Sequence, residues 1–178
     1  MTHRERPLLR SAERLRAYTD AVVAIAQTLL ILPLLESVSE ARAHHLTTAQ
    51  WLNENSDAVI WLTLSFVLIG TFWVIHHRVF EHVEHPTEAL QGLNFLWMFT
   101  IVIFPVIAAL LGLEPADSVQ KILYIGCMLV CSLAMNSMVM LVNRDPRIRG
   151  ELPPLGAGNV AASLSQTFIW WRWLWRLA

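Results

Sequence analysis

The feature that most limits this chain is a set of four apolar runs, at residues 17–35, 59–75, 90–113 and 122–142, the last three without an acidic or basic side chain. Each is long enough as a helix to cross about 30 Å of hydrocarbon. A soluble domain of 178 residues has too little interior to hide four such runs, and 55% hydrophobic residues against 15% charged makes lipid the solvent for much of the chain. In lipid every backbone polar group has to be satisfied within the protein, which a helix does by itself. The fold class that follows is all-α: a polytopic membrane helical bundle of four clear transmembrane helices plus an interfacial or weak fifth segment.

The charges set an expected orientation. Arginines from Arg4 to Arg16 precede the first run, Arg78 follows the second, and Arg144, Arg147 and Arg149 follow the fourth. The other two connections are acidic: Arg42 stands against Glu40, Glu54 and Asp57, and the short loop after the third run holds Glu114 and Asp117. Positive-inside counting then puts the N-terminus in the cytoplasm of a bacterial-type inner membrane. The first run is not read as a secretory signal, because it is too long, contains Asp20, and ends at Pro33 and Glu36 without a small-residue cleavage pattern. Residues 1–150 form the expected transmembrane unit. Pro153, Pro154, Gly156 and Gly158 then break the chain before a tail of mixed polarity within residues 151–178.

Several function classes are set aside by composition. A formal net charge of −1 and arginines gathered at span ends give no basic face for nucleic acid. The sequence has no Gly-rich phosphate loop, no nucleophile elbow and no His-Glu-x-x-His, so no enzyme and no cofactor is expected. His76, His77, His82 and His85 lie at a helix end and in a loop with Glu81, Glu84 and Glu88, which fits a solvated turn better than a metal site. Cys127 and Cys131, one helical turn apart, read as packing residues.

The first run carries the most informative side chains. Ile25, Leu29, Leu32 and Glu36 recur at helical spacing and form one stripe, with Thr28 beside it. If the stripe faces an oligomer axis, Ile25, Leu29 and Leu32 make hydrophobic constrictions and Glu36 rings the outer mouth with carboxylates. The alternative is an ordinary helix or lipid contact. On an ideal helix Ile31 falls roughly 120° from Ile25 and off the stripe. Asp20, an ionisable group close to the bilayer, is a functional candidate, or else a partner for Arg16 one turn earlier.

Arg14-x-x-x-Tyr18-Thr19-Asp20, followed by Ala-Val-Val-Ala-Ile-Ala-Gln-Thr-Leu-Leu, resembles the first helix of the lysosomal and bacterial potassium channel family (transmembrane protein 175), which carries Arg-x-x-x-Phe-Ser-Asp. Trp73, His76, His77 and Arg78 in the second run and Asn94 before Trp97 in the third are similar to that family's tryptophan, histidine and asparagine positions. The resemblance covers roughly residues 14–149. It implies a homotetramer of six-helix subunits whose first helices line a potassium-conducting pore, with proton permeation allowed through the same path. The filter Thr-Val-Gly-Tyr-Gly is absent here, as it is in the family. On the family pattern Ile25, Leu29 and Leu32 form the constriction, and Arg14, Asp20, Trp73, His77 and Asn94 form a polar network that holds the pore helix. Potassium ion and membrane lipid are the implied partners. The family's last two helices have no clear counterpart, so the competing expectation is a non-conducting truncated relative or an accessory membrane subunit.

Residues 159–178 are expected not to span. Crossing would carry Arg172 and Arg176 outside and bury Ser163, Ser165 and Gln166 in mid-membrane, whereas the tryptophan-rich stretch 169–175 suits the headgroup layer. A probe cysteine near Ala178 should stay unreactive to an impermeant reagent applied to intact cells. Labelling from outside would make the tail a fifth span.

Overall fold

A computed structural model describes residues 5–110 and 118–156, together with 158, 161 and 165. The expected interfacial tail therefore lies almost wholly outside the described residues, as do Glu114 and Asp117. The described chain is built from helices α1 (Glu5–Leu29), α2 (Leu32–Ala43), α3 (Thr48–Glu54), α4 (Ser56–Phe80), α5 (Glu88–Leu110), α6 (Ser118–Arg144) and α7 (Pro146–Arg149). Four stretches are long and apolar enough to cross a membrane: Ala12–Ala43, Ser56–Phe80, Glu88–Leu110 and Ser118–Arg144. They contain the first, second and fourth apolar runs of the sequence and residues 90–110 of the third.

The first span is two helices rather than one. Pro33 has no N–H to give the Leu29 carbonyl, and its ring crowds that same carbonyl. The ladder accordingly opens into a turn at Leu30 and Ile31, where Ile31 N–H reaches back only to Thr28 O at 3.4 Å, and helix resumes at Leu32 with Pro33 in its first turn. Beyond the membrane-length run α2 continues to Ala43, and α3 starts on a capping box in which Thr47 and Gln50 each satisfy the other's backbone N–H. Trp51 Nε1 donates to Ser37 Oγ at 3.1 Å and fixes α3 against α2.

The longest shared face is that of α5 with α6, and α1 lies against α5 and α4. Phe72, Trp97, Ile101, Phe104, Met135 and Met138 are buried between these spans, and the α1 side of the core is supplied by Val23, Ala26 and Leu30. Cys131 is buried and Cys127 partly so, both as free thiols, and Cys127 Sγ lies 3.5 Å from Thr100 O. Packing, the role read for them from spacing, is the role they have.

One end of the bundle gathers three distant segments. Arg16 Nη2 donates to Val83 O at 3.0 Å, and the N–H groups of Glu84 and His85 both donate to Ile148 O, at 2.8 and 3.1 Å. The start of α1, the α4–α5 connection and α7 therefore share one layer, as alternating crossings require. Further on, Leu155 and Asn143 exchange two hydrogen bonds, which ties the chain after α7 back onto α6.

Gly150 ends α7 at φ +60° and ψ −123°, where a Cβ would sit on the Glu84 carboxylate. Backbone of this kind costs an L side chain of order 1–3 kcal/mol. Gly150→Ala should destabilise the detergent-purified protein by that order, read as a lower thermal unfolding midpoint. Adding Glu84→Ala should restore only part of the loss, because it relieves the collision and leaves the backbone strain. Full recovery in the double variant would assign the cost to the carboxylate alone.

Candidate functional site: the two faces of the first helix

The inward face of α1 is fastened to the bundle by polar contacts at several heights. Lowest is Arg16 on Val83 O. Above it Trp73 Nε1 donates to Asp20 Oδ1 at 2.8 Å, a charge-assisted bond between α4 and α1. Higher still Gln27 Nε2 donates to Phe66 O at 3.3 Å. Between these levels runs a buried chain. His76 Nε2 lies 2.6 Å from Asn94 Oδ1, Asn94 Nδ2 donates to Thr19 Oγ1 at 2.9 Å, and Thr19 Oγ1 donates to Leu15 O at 2.9 Å.

Because Asn94 spends its amide hydrogens on Thr19, its oxygen is the acceptor, and His76 is the donor through a protonated Nε2. His76, Asn94 and Thr19 are 1%, 0% and 0% exposed, so none of these bonds competes with water. The imidazole lies between two aromatic faces, Phe80 at 4.2 Å and Trp97 at 4.3 Å between ring centroids, which fixes the direction in which Nε2 points.

Three of the expected network residues, Asp20, Trp73 and Asn94, do join α1 to its neighbours. The histidine differs: it is His76, next to the expected His77, that meets Asn94. Successive residues on a helix point about 100° apart. His77 is turned outward, where Nε2 lies 3.7 Å from Glu81 Oε1 and the ring stands 5.3 Å from Trp73. Arg14 is exposed and takes no part in these contacts. The suggested Arg16–Asp20 pair is not formed either, since each side chain is bonded to a different segment. In the sequence Thr19 and His76 stand out only as neighbours of Asp20 and His77, and Thr19 holds the hydroxyl position of the Tyr18-Thr19-Asp20 motif.

The opposite face of α1 is bare. Arg14, Tyr18, Ala21, Ile25, Thr28 and Leu32 follow one another in alternating steps of four and three, and all are exposed on the single chain. Ile25 is 59% exposed and Leu32, across the turn on α2, is 48% exposed, while Leu29 at 41% stands toward the flank. The Thr28 hydroxyl is bonded back to Ile25 O at 2.7 Å, and Glu36 is exposed on α2. Ile31, expected off the stripe, lies in the turn and is 47% exposed, so the ideal-helix offset does not fix its direction.

The family model described as endosomal/lysosomal potassium channel TMEM175 matches residues 14–105, a stretch that begins at Arg14 and includes Trp73, His76 and Asn94. The chain belongs to the TMEM175 family. A potassium channel of Streptomyces collinus is 32% identical over 146 residues, covering 76% of this chain and 68% of that protein. A potassium channel of Chamaesiphon minutus is 28% identical over 137 residues, 75% of this chain and 67% of that one. The endosomal/lysosomal proton channel TMEM175 of Danio rerio is 28% identical over 130 residues, 73% of this chain but 25% of that protein. The chain thus spans about two thirds of the bacterial relatives and a quarter of the vertebrate one. No solved structure matches it. Its four apolar spans and its bacterial channel relatives make it a multi-pass membrane protein.

His76→Ala or Asn94→Ala strands buried partners of the chain that reaches Thr19, at a cost of about 1–3 kcal/mol each. Both should lower the unfolding midpoint of the purified protein and its recovery in assembled form. His77→Ala, on the outward side, should cost much less. Equal losses for His76 and His77 would show that the buried chain does not hold α1.

Proposed function

We propose that this TMEM175 family member is the pore-forming subunit of a potassium-selective cation channel, in which the bare face of α1 lines a path between copies of the chain. The observation that carries the reading is the division of α1 into a fastened face and a free one. A helix locked to its own subunit on one side, and offering hydroxyl, small and aliphatic residues at seam spacing on the other, is suited to meet identical helices around an axis. The names of the bacterial relatives favour potassium as the ion.

In this reading four copies assemble in an inner membrane with the N-terminus in the cytoplasm, on the charge pattern and the family resemblance. Rings of Ile25, Leu29 and Leu32 form the constriction, Thr28 is a neighbouring hydroxyl, and Glu36 lies at the outer mouth. A ring of aliphatic side chains offers no oxygen ligands, so an ion passes by shedding part of its water, which is easier for potassium than for the more tightly hydrated sodium. The names of the vertebrate relatives favour protons as a second permeant species. Asp20, Trp73 and Asn94, with His76 and Thr19, serve to hold α1 and do not line the path.

Liposomes holding purified protein under a potassium gradient provide the test. Potassium flux with little sodium flux supports the channel, and no flux from intact oligomers favours an accessory subunit. Ile25→Ala should raise flux severalfold and weaken the potassium preference, with a smaller effect for Leu29→Ala on the flank. Ile122→Ala is the control: Ile122 is exposed on α6, which packs on α4 and α5. If Ile122→Ala changes selectivity and Ile25→Ala does not, α1 does not line the path.

A further inference from the structure

At the end of the bundle where α1 begins, basic side chains from three separate segments are clamped into one layer, and none of them is in an ion pair. Arg16 is held there by its bond to Val83 O, and His85 follows two residues later. The N–H of His85 is bonded to Ile148 O, and Arg149 is the next residue along that segment. Four nitrogens of these side chains, Arg16 Nε, His85 Nδ1, and Arg149 Nε and Nη1, are shut off from water with no hydrogen-bond partner. A guanidinium desolvated in this way is strongly unfavourable until an acceptor meets it.

The chain's own acids do not supply that acceptor. Among the described residues the one ion pair is His77 with Glu81. Asp145 is occupied in capping α7, where it accepts from Arg147 N–H at 2.9 Å. The Glu84 carboxylate rests over Gly150 and forms no ion pair with either arginine. Neither guanidinium therefore has a carboxylate partner among the described residues. All three basic residues are also part-exposed, so the layer opens outward, and rotation of two long side chains brings their donors to a ligand there.

We propose that Arg16, His85 and Arg149 form a binding site for a phosphate-bearing anion at the membrane surface. Phosphate has the multiple acceptor oxygens that two guanidinium forks require. The layer lies at the ends of spanning helices, the depth of phospholipid headgroups, and an occupant there would bridge the start of α1 to the α4–α5 connection and α7. The site stands apart from the bare face of α1, so it holds whether or not the protein conducts.

The experiment uses the full chain purified in detergent, with lipid retention read by native mass spectrometry and stability by thermal unfolding. The probes are phosphatidylglycerol, phosphatidylcholine and inorganic phosphate. Phosphatidylglycerol should be retained and raise the unfolding midpoint where phosphatidylcholine does not. The same shift with inorganic phosphate and none with phosphatidylglycerol would keep the site and assign it to the free anion. Arg149→Gln and Arg16→Gln should each weaken binding about tenfold, the loss expected for one charged hydrogen-bonding partner. Arg149→Lys should retain most of it and covers the case in which the glutamine variant misfolds. Glu84→Gln, which removes the competing carboxylate, should tighten binding. The exposed Arg144 and Arg147 lie on the same side, and Arg147→Gln should change nothing. Equal losses for Arg147→Gln and Arg149→Gln, or no response to any phosphate probe, would overturn the site.

Discussion

The rest of this structure depends on the sideways attachment of α1 to α4 and α5. Among membrane helices burial of apolar surface gives little preference for one neighbour over another, because lipid tails are as apolar as leucine. What sets the rotation of such a helix is close packing and a few hydrogen bonds. Here Arg16, Asp20 and Gln27 meet α4 or the loop that follows it, and Thr19 meets α5. Val23, Ala26 and Leu30 fill the same face between and beyond them. A turn of α1 by one residue would break the buried contacts together, so its free face is fixed by the fastened one.

The spans themselves were legible because lipid imposes a coarse rule, length without charge, that a sequence satisfies or does not. The break at Leu30 and Ile31 is not evident in the sequence, although Pro33 lies just beyond it. A proline near the end of an apolar run can be taken as the end of the helix, and only the resumption at Leu32 turns it into an interruption. The site divides in a similar way. Asp20, Trp73 and Asn94 were reachable because a charged group, an indole and an amide in three apolar runs need partners and have few choices. His76 and His77 are adjacent and identical in type, so nothing in the sequence says which one points inward. Burial between Phe80 and Trp97 decides it, and that depends on how α4 and α5 cross. The layer joining Arg16, the α4–α5 connection and α7 was invisible for another reason: its bonds run to backbone carbonyls, which no residue type advertises.

The two halves of the first span are held differently. α1 is bonded to its neighbours through side chains, whereas α2 contributes one buried residue, Ala41, and is linked onward chiefly through Ser37 and Trp51. With the ladder opened before Pro33, a change of tilt in α2 need not disturb the contacts of Asp20 or Thr19. The lower part of the bare face is thus set by the bundle, and the upper part by a break in the ladder and a short, mostly exposed helix.

The hydrogen-bond chain through the bundle also has a direction, and the direction has a consequence for charge movement. Each donor passes its hydrogen one way, from imidazole to amide oxygen, from amide nitrogen to hydroxyl, and from hydroxyl to the Leu15 carbonyl. An amide in the middle cannot take up a proton at one end and release it at the other, as a water or a carboxylic acid does, and the last acceptor is a peptide carbonyl inside α1. The chain is a strut with a dead end and not a proton wire, so this run of buried polar groups offers a proton no passage from imidazole to hydroxyl.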